Sequence, residues 1–270
     1  MQPLPIRIIS TDFDGTVHSD FDEPAVPEGL QRMLAELQSK GVVWVINTGR
    51  EIGSLMETLR GSRVGVLPDY LVTVEREIHV RKGSGYVALE EWNKGCTAAH
   101  ETLFRRILPT LPPIIEAINN RFQARVYEDL FSPLCLIAAN NEDCDQICEF
   151  LEVLWREEPE ISVVRNSIYA RLSHSDYNKG SALNEIGRLL GVGSEQIVAA
   201  GDHLNDLPML KRSSARWLIA PHNAVEAVKK IVREQDGYVS TERCGTGVAQ
   251  GLMHWMRHLG EHWMPEEWAV

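Results

Sequence analysis

The N-terminal third of this chain alternates short apolar runs with amphipathic stretches, and this rhythm leaves few folds open. The runs "RIIST", "VVWVIN" and "DYLVTV" have the length and the branched apolar content of buried strands. Between them lie "VPEGLQRMLAELQSKG" and "REIGSLMETLRG", whose apolar residues recur at helical spacing. Strands and helices in strict alternation predict an α/β fold, a doubly wound parallel sheet with helices on both faces.

The rhythm changes between about Gly83 and Leu172. Two helical stretches there lead into a hairpin, then a helix, then a second hairpin, which is an α+β pattern. After Asn178 the alternation of helix and strand returns. The sequence therefore predicts a core formed by residues 1–82 and 173–270, with an inserted α+β domain at residues 83–172.

The composition indicates which classes of partner and which cellular compartment are expected for this protein. The 270 residues carry a net charge of −11, from 38 acidic against 27 basic side chains, which disfavours nucleic acid as a partner. A small anionic substrate remains compatible if a metal cation lies in the site. No apolar run approaches about 18 residues, so we expect no membrane span. The five cysteines form no CxxC pair, and we expect buried, reduced thiols in a cytoplasmic protein.

Polar residues capable of chemistry stand where four of these elements begin or end. Asp12 and Asp14 follow the first strand, and Thr48 in "NTGR" follows the second. Lys179 in "NKG" opens a helix, and Asp202 in "GDHLND" follows the apolar run "IVAA". Ligands of open α/β sheets bind beyond the carboxyl ends of the strands, so we expect these residues to converge on one crevice.

The chemistry of this set is coherent. Two ionised carboxylates as close as Asp12 and Asp14 repel one another unless a cation intervenes. With Asp202 and Asp206 the set is rich in oxygen ligands, which suit Mg²⁺ and leave one aspartate as a nucleophile. Each motif alone has a plainer explanation, such as a turn or a helix cap. All four in this order, each at the boundary of an element, are hard to explain as caps.

The segments "DFDGT", "NTGR", "NKG" and "GDHLND" resemble the four motifs of the haloacid dehalogenase (HAD) superfamily of phosphotransferases. The insert between the second and third motifs resembles the type with a C2 cap, the Cof-like and sucrose-phosphatase-like group. "APHNAVEAVKK" and "GTGVAQGL" are similar to further segments of that group. The resemblance implies a Rossmann-like HAD core and a C2 cap that closes over the active site.

The resemblance also implies catalytic roles. Asp12 would attack phosphorus and form an aspartyl-phosphate. Asp14 would protonate the leaving oxygen and then activate water. Thr48 would bind a phosphoryl oxygen, and Lys179 would orient the nucleophile and neutralise charge.

The implied metal is Mg²⁺, held by Asp202 together with Asp12 and the main-chain carbonyl of Asp14. Around the metal the resemblance implies four supporting residues: Gly49, Asn205, Asp206 and Asn223. Of these, Asn205 and Asp206 would position Lys179 and metal-bound water.

Two segments depart from the family pattern. Glu75-Arg76-Glu77 stands where many Cof-like proteins carry an Asn-Gly turn, so we do not carry the family's substrate contacts over to this chain. Pro221-His222 stands where a Met-Gly pair often precedes the later asparagine. Neither departure touches the catalytic set.

The expected reaction is Mg²⁺-dependent hydrolysis of a small phosphate monoester, a sugar phosphate or related metabolite, by a cytoplasmic enzyme without nucleic-acid or membrane partners. A phosphomutase on a similar capped core and a non-catalytic binding protein remain alternatives. The oligomeric state stays open. We favour a C-terminal tail whose Trp263 and Trp268 cover the core, hence a monomer, over a tail that contacts a second subunit.

Overall fold

The computed structural model describes residues 4–269. In chain order its helices and strands are β1 (Ile8–Thr11), α1 (Glu28–Ser39), β2 (Val43–Asn47), α2 (Ile52–Gly61), β3 (Tyr70–Thr73), β4 (Glu77–Lys82), β5 (Gly85–Ala88), α3 (Glu90–Ile107), α4 (Leu111–Arg121), β6 (Ala124–Tyr127), β7 (Cys135–Ala138), α5 (Asn141–Leu154), β8 (Ile161–Asn166), β9 (Tyr169–His174), α6 (Lys179–Leu190), β10 (Ile197–Ala200), β11 (Trp217–Ala220), α7 (Glu226–Glu234), β12 (Tyr238–Val239) and α8 (Cys244–His258). Short 3-10 helices lie at Leu108–Thr110, Ser194–Gln196, Leu204–Asp206 and Glu266–Ala269.

The chain divides into two compact units. One contains the residues up to Leu89 and those from Lys179 onward, and the other is Glu90–Asn178. These limits lie a few residues beyond those drawn from the sequence, at 82/83 and 172/173. The difference arises because β4 and β5 extend the sheet of the first unit, and because β9 runs on to His174.

The first unit is built on an eight-stranded sheet in the order β12-β11-β10-β1-β2-β3-β4-β5. The six strands from β12 to β3 are parallel, and β4 and β5 add an antiparallel hairpin at one edge. The predicted α/β class with a parallel sheet is confirmed. The sequence predicts no strand in "EIHV" or "GYVALE", so the edge hairpin is an addition to the predicted sheet.

The register of the central strands places the motif residues side by side. Thr11 at the end of β1 pairs with Ile46 in β2 and with Ala200 in β10. The next residue, Asp12, donates its N–H to the carbonyl of Ala200 at 2.9 Å. Here β1 lies between a strand that precedes the inserted unit and one that follows it, which is the switch point where such sheets bind ligands.

Helices α1, α2 and α8 share one hydrophobic core with β1 and β2. The C-terminal tail also packs on this core, with Met264 buried and the rings of Trp263 and Trp268 partly buried against it. The tail thus covers apolar residues of its own unit.

The second unit has an antiparallel sheet in the order β6-β7-β9-β8. Both predicted hairpins are present, as β6–β7 and β8–β9. Helices α3, α4 and α5 line its core with residues such as Leu103, Ile118 and Leu151. In the first unit the sequence predicts a short helix over "NDLPMLKRS", and this prediction is wrong. Only a 3-10 turn ending at Asp206 forms there, shortly before Pro208, which has no N–H to extend it.

Across residues 4–269, no helix combines the length and the apolarity that a membrane span requires. The five cysteines are buried thiols, at positions Cys96, Cys135, Cys144, Cys148 and Cys244.

The packing of the tail predicts an unusual sign for a glycine substitution. A Cβ on Gly29, the second residue of α1, would lie 2.4 Å from the carbonyl oxygen of Trp268. Gly29→Ala is therefore expected to lower the free energy of unfolding by about 1–2 kcal/mol, despite the higher helix propensity of alanine. Urea unfolding followed by tryptophan fluorescence measures this change.

The matched control is Gly53→Ala, since Gly53 is the second residue of α2 and a Cβ there would meet no atom within 4 Å. We expect it to be neutral or to stabilise by up to about 1 kcal/mol. Equal effects of the two substitutions would contradict the packing of the tail on α1.

Candidate active site

A buried ion pair lies at the carboxyl end of β1. Asp12 is 4% exposed and Lys179 is 0% exposed. The Lys179 Nζ donates to Asp12 Oδ1 at 2.7 Å and to Asp206 Oδ1 at 2.6 Å. Burial lowers the pKa of Lys179, but the carboxylates of Asp12, Asp206 and Glu75 more than offset this and raise its pKa above the ordinary value. The ammonium is therefore a permanent cation within a group of acids.

Three carboxylates meet beside this lysine. Oxygen atoms of Asp12, Asp202 and Asp206 lie within 4.8 Å of one another. Burial, with neighbouring carboxylates adding, raises the pKa of Asp12 well above its usual range and that of Asp202 to about 7. Three carboxylates this close repel one another when all are ionised, unless a cation lies between them. A buried oxygen, Asn205 Oδ1, has no hydrogen-bond partner among the described residues. This donor set fits a hard divalent cation.

The expected metal set was Asp12, Asp14 and Asp202. The structure brings the first and third together, and Asp206 supplies the third carboxylate of the cluster. The Asp14 side chain instead accepts two hydrogen bonds from Arg50, from Nε at 2.7 Å and from Nη2 at 2.6 Å. The role expected of Asp14 in metal binding uses its main-chain carbonyl oxygen. The ion pair with Arg50 involves only the side-chain carboxylate, so it does not bear on that role.

Arg50 was not among the predicted site residues. Its guanidinium also donates to Thr58 Oγ1 at 2.7 Å, so α2 fixes its position. The hydrogen bonds with Asp14 raise the pKa of Arg50. The signal in the sequence was its place directly after Thr48-Gly49. A lone arginine after a strand is usually a surface charge, and so its role was missed.

The loop after β2 holds Thr48 and Gly49 at the same edge of the sheet. Thr48 is buried, and its hydroxyl accepts the N–H of Arg50 at 3.2 Å. A Cβ on Gly49 would lie 3.0 Å from Glu75 Oε1, so a larger residue would press on that carboxylate. At the end of β2 itself, Asn47 Nδ2 donates to the carbonyl of Lys179 at 2.9 Å and ties this loop to the start of α6.

The fourth motif folds back on its own carboxylate. Asp206 Oδ2 accepts the N–H groups of Asp202 at 2.8 Å and of His203 at 2.9 Å, while its other oxygen binds Lys179. A Cβ on Gly201 would lie 2.5 Å from the Asp206 Cβ, and so only glycine fits there. These bonds are part of a capping box that satisfies main-chain donors at the start of the 3-10 turn Leu204–Asp206.

Asn223 braces the first motif. Its Nδ2 donates to the carbonyl of Gly15 at 2.7 Å, and its Oδ1 accepts the N–H of Cys244 at 2.7 Å. Gly15 has a φ of +75°, and a Cβ there would lie 2.6 Å from Asp202 Oδ2. The next residue, Thr16, donates its hydroxyl to Asp202 Oδ1 at 2.9 Å. The first and fourth motifs are thus locked together.

Residues 114–252 match the family model of the haloacid dehalogenase-like hydrolases. The chain belongs to this family. A curated relative, 5-amino-6-(5-phospho-D-ribitylamino)uracil phosphatase YcsE of Bacillus subtilis, is 25% identical over 94% of this chain and 98% of its own length. Mannosylfructose-phosphate phosphatase of Agrobacterium fabrum is 25% identical, over 93% of this chain and 97% of its own length. Among solved structures, the sucrose-phosphatase of Synechocystis in complex with sucrose and phosphate has a TM-score of 0.70 at 19% identity. The match covers 96% of this chain and 99% of that chain.

These findings confirm the family expected from the motifs and the enzyme class, a HAD-type phosphoric monoester hydrolase. HAD phosphatases generally use a divalent metal, in agreement with the three carboxylates at the end of the sheet.

The clustered acids predict how stability depends on pH. The pKa of Asp202 is about 7 in the folded protein against an ordinary 3.8, so the folded state binds more protons between these values. The free energy of unfolding of the metal-free protein should fall as pH rises through this window. Asp202→Asn removes the buried charge and should raise the Tm of metal-free protein at pH 8 by about 2–4 °C.

Calorimetry in EDTA measures this shift. Asp20→Asn is the control, since the Asp20 side chain is 74% exposed, and its Tm should match that of the unsubstituted protein. A lower Tm for Asp202→Asn would show that the carboxylate stabilises the metal-free fold, contrary to the expectation.

Proposed function

We propose that this enzyme hydrolyses a small phosphorylated sugar or polyol in a Mg²⁺-dependent reaction, with Asp12 as the nucleophile. One observation carries the proposal: a buried carboxylate at the switch point of the sheet is hydrogen-bonded by a buried lysine and lies within a cluster of acids. Burying such a group costs stability, and clusters of this kind are found most often at functional sites.

Asp12 is suited to attack phosphorus. Lys179 binds one of its oxygens and holds the carboxylate in place, and the carboxylate has a second oxygen to offer. Attack on a phosphate monoester forms a bond from this oxygen to phosphorus and breaks the bond to the leaving oxygen. The product is an aspartyl-phosphate, and water then attacks its phosphorus and restores the carboxylate.

Asp12 and Asp202, with the main-chain carbonyl of Asp14 and support from Asp206, would hold the Mg²⁺. When bound, this cation supplies positive charge that offsets the repulsion between the Asp12 carboxylate and the anionic phosphate. The lysine ammonium has three N–H donors, and Asp12 and Asp206 receive two of them. We assign the third donor and the Thr48 hydroxyl to phosphoryl oxygens, whose charge shifts during transfer.

Asp14 is the proposed acid and base. It would give a proton to the leaving oxygen and later accept one from the attacking water. In this structure its carboxylate is held by the Arg50 guanidinium through two hydrogen bonds. We therefore interpret Arg50 as a positioning residue, which fixes the orientation of the Asp14 side chain.

The substrate class rests on the relatives. The names of the Bacillus subtilis and Agrobacterium fabrum proteins describe a ribityl phosphate and a disaccharide phosphate as substrates. Both are phosphate monoesters of polyhydroxylated carbon chains. For this chain we propose the same general class, without a choice between the two.

The proposal is tested by phosphate release from a panel of sugar and polyol monophosphates, with Mg²⁺ and with EDTA. We expect metal-dependent release without a bisphosphate activator, and a loss of at least about 10³-fold in kcat for Asp12→Asn. Asp22→Asn, an exposed acid of the neighbouring loop, should keep full activity. Undiminished turnover by Asp12→Asn would refute the mechanism, and isomerised sugar phosphate without phosphate release would indicate a mutase.

The role of Arg50 predicts a dependence on the leaving group. Arg50→Lys removes the two-pronged hold on Asp14, so kcat for a sugar phosphate should fall about 10–100-fold. With p-nitrophenyl phosphate, whose leaving group needs no proton, the loss should be less than about threefold. Arg60→Lys, at an exposed position in the last turn of α2, serves as the control. Equal losses on both substrates would show that Arg50 does not act through Asp14.

A further inference from the structure

The turn between β3 and β4 has an unusual backbone. Val74 and Glu75 both have left-handed conformations, with φ of +44° and +69°, and the Arg76 N–H closes the turn on the Thr73 carbonyl at 3.0 Å. Hairpin turns with two left-handed central residues favour Asn-Gly, and a β-branched residue there is rare. This sequence therefore carries strain at the edge of the site.

The backbone of the turn has a structural purpose. The Val74 N–H donates to the Arg50 carbonyl, and the Glu75 N–H donates to the Thr48 carbonyl, each at 2.9 Å. These bonds brace the loop that carries the proposed phosphate ligand. They do not explain the side chains, because Asn-Gly would make the same two main-chain bonds with less strain.

The side chain of Glu75 reaches into the site. The residue is only 7% exposed, and its Oε1 accepts a hydrogen bond from Asn205 Nδ2 at 3.0 Å. The same oxygen occupies the space beside Gly49. Its charge also acts on the buried Lys179. A fourth acid is thus held by Asn205 beside Gly49, close enough to act on the lysine that binds Asp12 and Asp206.

We propose that Glu75 is a positioning residue that sets the charge balance of the site, so that the metal cation binds more tightly and the phosphate product less tightly. This inference rests on the proposed function. A phosphate dianion held by a lysine and a divalent cation would leave slowly, and a fixed carboxylate beside it favours its release.

The decisive variant is Glu75→Gln, which keeps the size and an acceptor for Asn205 but removes the charge. Loss of one negative charge at this range should weaken Mg²⁺ binding roughly tenfold and strengthen inorganic phosphate binding roughly tenfold. Calorimetric titration of the full chain measures both constants, with Mg²⁺ added to the metal-free protein and inorganic phosphate added to the Mg²⁺-saturated protein. Neither measurement requires turnover.

Two controls separate charge from structure. Glu75→Asp keeps the charge and suits a left-handed position, so both constants should stay within about threefold of the unsubstituted protein. Glu77→Gln removes a carboxylate of the same hairpin that lies 3.8 Å from His79 Nε2, and it should change neither constant by more than about twofold.

Opposite shifts of the two constants in Glu75→Gln support the proposal, because damage to the fold would weaken both ligands. Weakening of both, or no change in either, would overturn it. If the unsubstituted protein binds neither ligand and releases no phosphate, the proposed function itself is wrong, and this inference falls with it.

Discussion

The site is organised by the ammonium group of Lys179, which is fully buried and hydrogen-bonded to two carboxylates. Burying the charge of Lys179 is costly, and its hydrogen bonds to Asp12 and Asp206 offset that cost. The three residues come from the end of β1, the start of α6 and the turn after β10. The strand order and the hydrogen bond from the Asn47 side-chain amide to the Lys179 carbonyl hold them together. Removal of any one partner would leave a buried charge uncompensated.

The parts of this arrangement that follow from local chemistry could be predicted from the sequence. Asp12, Thr48 and Asp202 each come directly after an apolar run that forms a central parallel strand. Their convergence then follows from the geometry of such sheets. The two antiparallel hairpins of the inserted unit were predicted for a similar reason, because turn residues separate short runs with high strand propensity.

What escaped prediction depends on contacts between distant residues or opposes local preference. Val74 and Glu75 form a left-handed hairpin turn that their side chains disfavour, and so the pairing of β3 with β4 carried no recognisable signal. The ion pair of Arg50 with Asp14 spans 36 positions in the chain, and nothing in "NTGR" by itself specifies a partner.

The charge count implies an order of events. In the metal-free state four carboxylates, Asp12, Asp202, Asp206 and Glu75, surround the single ammonium of Lys179, and a phosphate dianion would meet net negative charge. A proton on one of the carboxylates would relieve part of this repulsion, in agreement with the raised pKa of Asp202, about 7, which burial and neighbouring Asp206 cause. A divalent cation bound by these carboxylates would displace such a proton. With the proposed function, affinity for a phosphate group would therefore depend on the cation being bound first, because only then would the site offer it net attraction.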